Sequence, residues 1–219
     1  MSWQEERSHF LAALSVKQQQ RVQHVLQHKD AIIRQALTQL ASPIVMDDAI
    51  VTTAETLRRS AKCLMVVGTG GASLGGQTLC SLAPDSQVHF IENCDPATID
   101  FMLETLVPEE TAWLFVSKSG ETVETLATAL AVLAHYDTKG CLELLRSKSC
   151  VLTSVGPRPL RSFAEHLGCM VLEHPNALGG RFSVFSAVGL LPAAFAGVDI
   201  KRVIHAATHY WEHWREDEQ

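Results

Sequence analysis

From residue 61 onward the chain alternates short apolar runs with stretches of helical period, and that alternation leaves few folds open. The runs cover 63–67, 87–91, 112–116, 150–154 and 169–172, and each reads as a short buried strand. Strands that alternate with helices pair in parallel, because each helix returns the chain to the end where the next strand starts. The expected class is therefore α/β, with three layers: a parallel sheet of about five strands flanked by helices. Residues 1–60 are helical in character, with glutamine-rich polar faces and a break at Ser42-Pro43, and are expected to form an N-terminal helical segment. Asp95-Pro96 offers an N-cap and a first-turn proline for a helix over 96–106. The apolar stretch 184–196 predicts a buried helix that Pro192 should kink or end.

Composition narrows the class of partner. Of 219 residues, 47% are hydrophobic and 19% charged, enough apolar material for a substantial core and enough charge for a folded, water-exposed surface. The formal net charge is −6 and no Lys/Arg block exceeds two residues, which argues against nucleic acid or an anionic membrane as the main partner. Six cysteines (Cys63, Cys80, Cys94, Cys141, Cys150, Cys169) lie far apart with no C-x-x-C pair and read as reduced packing thiols. The N-terminus has no cationic start followed by an apolar core, and no apolar stretch reaches bilayer length, so cytoplasmic residence is expected.

Three loops could carry chemistry. Ser117, Lys118, Ser119, Gly120, Glu121, Thr122, Val123, Glu124 and Thr125 follow the third apolar run and precede a helix expected from Glu121 to about His135. Free N–H groups and the dipole of a helix start favour an anion, hydroxyls donate to oxyanions, and Lys118 adds compact charge, so a phosphorylated small molecule is the leading ligand. Ordinary helix capping by Ser119 accounts for one hydroxyl but not for four. The second loop, Gly68-Thr69-Gly70-Gly71-Ala72-Ser73-Leu74-Gly75-Gly76, follows the first strand and lets backbone approach a ligand closely. A dinucleotide fingerprint would need glycine at Ser73, and a nucleotide P-loop would need Gly-Lys-Ser/Thr; Glu92 after the second strand keeps the dinucleotide reading open. A tight turn without ligand is the plain alternative. The third loop, Asn176 to Ser183 with Gly179-Gly180-Arg181-Phe182 inside it, places a guanidinium on rigid backbone, suited to an oxyanion or, more simply, to a neighbouring carbonyl.

His205, His209 and His213 recur every four residues. Positions i, i+4 and i+8 drift along a helix axis, so one zinc ion takes two of them but hardly all three, and solvated or partner-facing histidines are the expectation, with Trp211 and Trp214 helping to bury the helix. No metal site is expected.

Taken in order, the loops resemble the glucose-6-phosphate isomerase family, whose first half is a sugar-isomerase (SIS-type) phosphosugar-binding domain. The family's Gly-x-Gly-Gly-Ser-x-x-Gly turn matches Gly68 to Gly75, its Ser-Lys-Thr/Ser-x-x-Thr-x-Glu-Thr loop matches Ser117 to Thr125, and its Gly-Gly-Arg-Phe/Tyr-Ser signature matches Gly179 to Ser183. The resemblance implies a SIS-type domain over 61–178 and the start of a second half over 179–219. It implies that Ser117, Lys118, Ser119, Thr122 and Thr125 hold a phosphate, that Gly71, Ala72, Ser73 and Gly180 border a hexose 6-phosphate, and that Arg181 faces the reacting carbons to stabilise an enediolate. The implied reaction interconverts glucose 6-phosphate and fructose 6-phosphate through a cis-enediol(ate) without metal or organic cofactor. Ala72 replaces the family serine and removes a hydroxyl that Ser73, turned about 100° away on a helix, would have to supply.

The family's glutamate base, ring-opening histidine and C-terminal lysine match no segment of this chain. The expectation is therefore the N-terminal part of an isomerase, working as a homodimer or with a missing C-terminal half, with a non-catalytic phosphosugar sensor of the same fold as the alternative. Without its base, such a chain should forfeit roughly a hundredfold to ten-thousandfold in rate. The aromatic stretch His209 to Trp214, with little evident cover, favours the incomplete isomerase.

Overall fold

The computed structural model describes residues 14–28, 47–83 and 85–217. Chain contacts divide it into Met1–Pro43 and Ile44–Gln219. In the first unit, α1 (Val16–Gln27) starts at Ser15, where Gln18 Oε1 accepts from the Ser15 backbone N–H at 2.9 Å and from its hydroxyl at 2.7 Å. The break expected at Ser42-Pro43 lies outside the described residues.

The second unit contains α2 (Asp48–Ser60), β1 (Cys63–Val67), α3 (Leu74–Cys80), β2 (Val88–Ile91), α4 (Pro96–Thr105), β3 (Thr111–Val116), α5 (Val123–Thr138), α6 (Leu142–Ser147), β4 (Ser149–Thr153), α7 (Pro159–Leu167), β5 (Met170–Glu173), α8 (Ala187–Phe195) and α9 (Ile200–Asp217). The five strands form one parallel sheet in the order β2-β1-β3-β4-β5. The expected α/β class, strand number and parallel pairing are all present; individual strands begin one residue from their expected positions at β2, β3, β4 and β5.

Strand periodicity of two builds both cores. Leu64, Val66, Ala112, Leu114, Val116, Cys150 and Leu152 point to one face, against Ile50, Ala54 and Leu57 of α2 and Val188, Leu190 and Leu191 of α8. Met65, Val67, Trp113, Phe115 and Val151 point to the other, against α4, α5, α6 and α7. Residues of α2 and α8 thus share one core with the sheet. Asp95 caps α4, accepting from the Thr98 N–H at 2.9 Å and hydroxyl at 2.7 Å; these bonds hold its carboxyl below the ordinary carboxylate range.

Pro192 does not end its helix. Ser186 opens α8 by accepting from Val188 N–H at 3.3 Å, and α8 runs through Pro192 to Phe195. The proline sits in the buried seam with α3, where a Cβ on Gly76 would come 3.0 Å from Pro192 Cγ. Packing of this wholly apolar helix offsets the missing N–H.

All six thiols are free. Burial pushes Cys150 up to about 12, and Cys80 and Cys169 to about 11, whereas Cys94 is exposed. Because thiolate is the reactive form, iodoacetamide at pH 8 should alkylate Cys94 in the native chain and Cys150 only after denaturant unfolding. Peptide mass spectrometry checks this; labelling of native Cys150 at the rate of Cys94 would contradict the packing.

Candidate active site

The chain reverses direction across the sheet after β2. β1 pairs with β2 on one side, and the next strand, β3, joins on the other, so the turns after β1 and β3 leave in opposite directions. Such a switch point opens a crevice at the carboxyl ends of the strands. A cavity of about 620 Å³ lies there, and its lining includes Thr69, Gly71 and Ala72 after β1, and Val116, Ser117, Lys118, Ser119 and Thr122 after β3.

The 117–122 turn is built to be rigid. Ser117 N–H continues the sheet ladder to Leu152 O at 3.1 Å, Lys118 O accepts from Ser154 N–H at 3.1 Å, and Gly120 O accepts from Leu160 N–H at 3.0 Å. Gly120 has φ +66, and a Cβ there would sit 2.6 Å from Arg158 Cβ, so glycine is required by both backbone and space. Ser117 Oγ accepts from Gly120 N–H at 3.1 Å and lies 2.8 Å from Thr122 Oγ1 and 3.5 Å from Ser119 Oγ. Ser119 Oγ also accepts from Glu121 N–H at 3.2 Å, so the plain capping role exists beside the hydroxyl cluster. Thr122 is the N-cap of α5, which starts at Val123, two residues later than expected, and the Thr122 hydroxyl faces Ser117 rather than capping. The first-turn N–H groups of α5 have no intrahelical acceptor and point out of the helix start.

Opposite this turn, backbone meets backbone. A Cβ on Gly71 would come 2.5 Å from the Gly180 carbonyl carbon and 2.9 Å from Arg181 N. Ser183 Oγ fixes the contact, donating within reach of both Gly71 O at 3.2 Å and Gly180 O at 2.7 Å. Two loops separated by more than a hundred residues thereby become one wall, and Arg181 is carried on it into the cavity lining.

The structure brings Gly71, Ala72, Ser117, Lys118, Ser119, Thr122, Gly180 and Arg181 to the cavity. Two expected residues are absent from the wall. Ser73 is fully buried and its hydroxyl accepts from Gln77 Nε2 at 2.6 Å, so it does not replace the hydroxyl missing at Ala72. Thr125 is 1% exposed on the inner side of α5, and its hydroxyl has no partner among the described residues. Glu92 is also outside the lining, which removes the support for a dinucleotide.

Sequence reading missed Ser154, Arg158 and His174, which enter from the ends of β4 and β5, whereas Asn176, also in the lining, opens the third loop. Their signal was position: Ser154 closes a predicted strand, and Arg158 and His174 follow one on the carboxyl side. Arg158 is paired with Glu121 at 3.0 Å across the turn. Among the described residues, neither Lys118 nor Arg181 is paired with a carboxylate, and no carboxylate lines the cavity. His174 is 3% exposed; burial pulls its imidazole below the ordinary histidine range, with nearby Lys118 acting in the same direction against the bond to Pro175 O.

The sequence profile described as phosphoglucose isomerase matches residues 11–218. The chain belongs to the phosphoglucose isomerase family. A glucose-6-phosphate isomerase of Thermus thermophilus is 40% identical over 145 residues, which cover 65% of this chain and 35% of that relative. The chain thus spans about a third of the length of the curated phosphoglucose isomerase relatives it matches. Among solved structures, a hypothetical protein from Thermus thermophilus superposes with a TM-score of 0.67 at 30% identity, covering 87% of this chain and 49% of that one. A glucose-6-phosphate isomerase from Chlamydia trachomatis gives 0.60 at 26% identity, covering 80% and 32%. The resemblance drawn from the three loops is borne out at the level of family and fold.

On α9, outside the cavity, His205, His209 and His213 are exposed, with the last two stacked at 4.3 Å between ring centroids. The side chains of Trp211 and Trp214 lie outside the described residues.

Proposed function

We propose that this chain carries the phosphate-binding half of a glucose-6-phosphate isomerase that interconverts glucose 6-phosphate and fructose 6-phosphate through a cis-enediol(ate). The observation that carries this reading is that Lys118 and Arg181, neither paired with a carboxylate among the described residues, line one cavity together with the Ser117–Thr122 hydroxyl cluster at a helix start. The phosphate sits on Ser117, Lys118, Ser119 and Thr122, where charge-assisted bonds and the α5 dipole act together. The sugar carbons then extend along Gly71, Ala72 and Gly180, and Arg181 stabilises the oxyanion that develops as a proton moves between C1 and C2.

Moving that proton needs a base near the working pH, and among the described residues no carboxylate lines this cavity. In this reading a carboxylate from a segment beyond the matched third of the relatives supplies it, and a homodimer in the cytoplasm is the working setting.

Calorimetric titration with glucose 6-phosphate tests the site. Lys118→Ala should weaken binding about tenfold to a hundredfold, the loss expected of one charge-assisted contact, with an unchanged circular dichroism spectrum. Equal affinity in the variant would overturn the assignment. Adding the complementary segment of a full-length relative should yield isomerase activity; saturable binding without activity would point to a phosphosugar-binding module instead.

A further inference from the structure

His174 follows β5 directly and its side chain is buried in the cavity wall, yet it belongs to none of the three family loops. Its Nδ1 lies 3.0 Å from Pro175 O. A carbonyl oxygen can only accept, so Nδ1 carries the proton and the neutral ring presents Nε2 as a bare acceptor. Among the described residues Nε2 has no protein hydrogen bond, and it is not among the buried polar atoms sealed from solvent, while His174 itself lines the cavity. Ser154 Oγ donates to the His174 carbonyl at 3.2 Å, which holds this residue against the end of β4.

The charges around it are few. Lys118 reaches it from the β3–α5 turn; Arg158 at the head of α7 is taken up by Glu121; Arg181 lines the same cavity from the glycine wall. On its own strand, Glu173 is exposed and lies 3.9 Å from Arg161. Without a bound anion the buried imidazole therefore meets cationic surroundings and little solvent, both of which favour the neutral ring. A phosphate dianion on the 117–122 turn offsets that cationic field and offers Nε2–H an acceptor, and the Nδ1–H bond to Pro175 O is kept when Nε2 gains its proton.

We propose that His174 is a proton-linked anion-binding group of this site: a phosphate monoester seated on the 117–122 turn draws one proton from solvent onto Nε2, whose N–H then donates toward the anion. This rests on the phosphate assignment above and adds to it a preference for dianionic over monoanionic esters. Binding that takes up a proton strengthens as pH falls through the bound-state value of the group. Phosphate itself loses its dianion near pH 6, so the linkage is cleanest between about pH 7 and 8.

Proton NMR of the histidine Cε1–H resonances tests it, with His174→Gln identifying the His174 signal. On saturation with glucose 6-phosphate, the pH midpoint of His174 should rise by at least about one unit, and calorimetry at pH 7.5 in buffers of differing ionisation heat should show proton uptake by the wild-type chain. If His174→Gln fails to fold, the uptake measurement on the wild-type chain decides alone. Binding with no proton uptake and an unmoved His174 midpoint overturns the proposal and leaves the phosphate site standing. Absence of glucose 6-phosphate binding overturns both.

Discussion

Gly71→Ala should reduce glucose 6-phosphate affinity about a hundredfold and lower stability by about 1–3 kcal/mol. The added methyl would lie 2.5 Å from the Gly180 carbonyl carbon, 2.7 Å from its oxygen and 2.9 Å from Arg181 N. All three are backbone atoms of a turn held by Ser183, so no flexible side chain can give way, and the two loops must part. That displaces Arg181 and stretches the 3.2 Å bond from Ser183 Oγ to Gly71 O. Neighbouring Gly70 is the control. Its φ is +53 but a Cβ there meets nothing within 4 Å, so Gly70→Ala carries only the backbone strain of about 1–2 kcal/mol and should leave the wall in place. Calorimetric binding beside thermal unfolding separates the two: wild-type affinity in Gly71→Ala would show that the loop contact does not shape the site.

What the sequence revealed and what it hid follow from how local each signal is. The strands were legible because burial on both faces demands uninterrupted apolar runs, and the 117–122 turn because hydroxyls, glycine and lysine crowd before a helix within a few residues. The direction in which a side chain leaves a turn is set by backbone that only the fold defines. Ser73 falls at the close of a one-turn 3-10 segment over Gly70–Ala72, and that geometry buries its hydroxyl against Gln77 while Ala72 stays in the cavity lining. Thr125 lies three residues beyond the N-cap, where the helix turns it inward. His174 was invisible for another reason: its meaning comes from the end of β5 standing beside β4, a relation between strands that no local pattern records. Pro192 shows the same limit, since a buried seam outweighs a local helix penalty.

The core beneath the site sets the second large effect. Trp113→Ala should cost about 3–5 kcal/mol and lower the unfolding midpoint by roughly 6–20 °C. Trp113 is fully buried at the middle of the sheet, stacked on Phe115 at 5.8 Å and edge-on to Tyr136 at 6.3 Å. Its Nε1–H donates to the Tyr136 hydroxyl at 3.0 Å, and burial pushes that hydroxyl up to about 12, so it stays a neutral acceptor over the working range. Tyr136→Phe keeps the ring and removes only the acceptor, leaving a buried indole N–H unpaired at about 1–3 kcal/mol. Once the indole is gone that penalty has no source, so the double variant should be less destabilised than the sum of the two singles. Urea unfolding of the four chains measures the coupling, and strict additivity would mean the hydrogen bond contributes nothing. Because β3 delivers Ser117 from the same rigid strand, Trp113→Ala should also weaken glucose 6-phosphate binding, whereas Tyr136→Phe, which leaves the packing intact, should not.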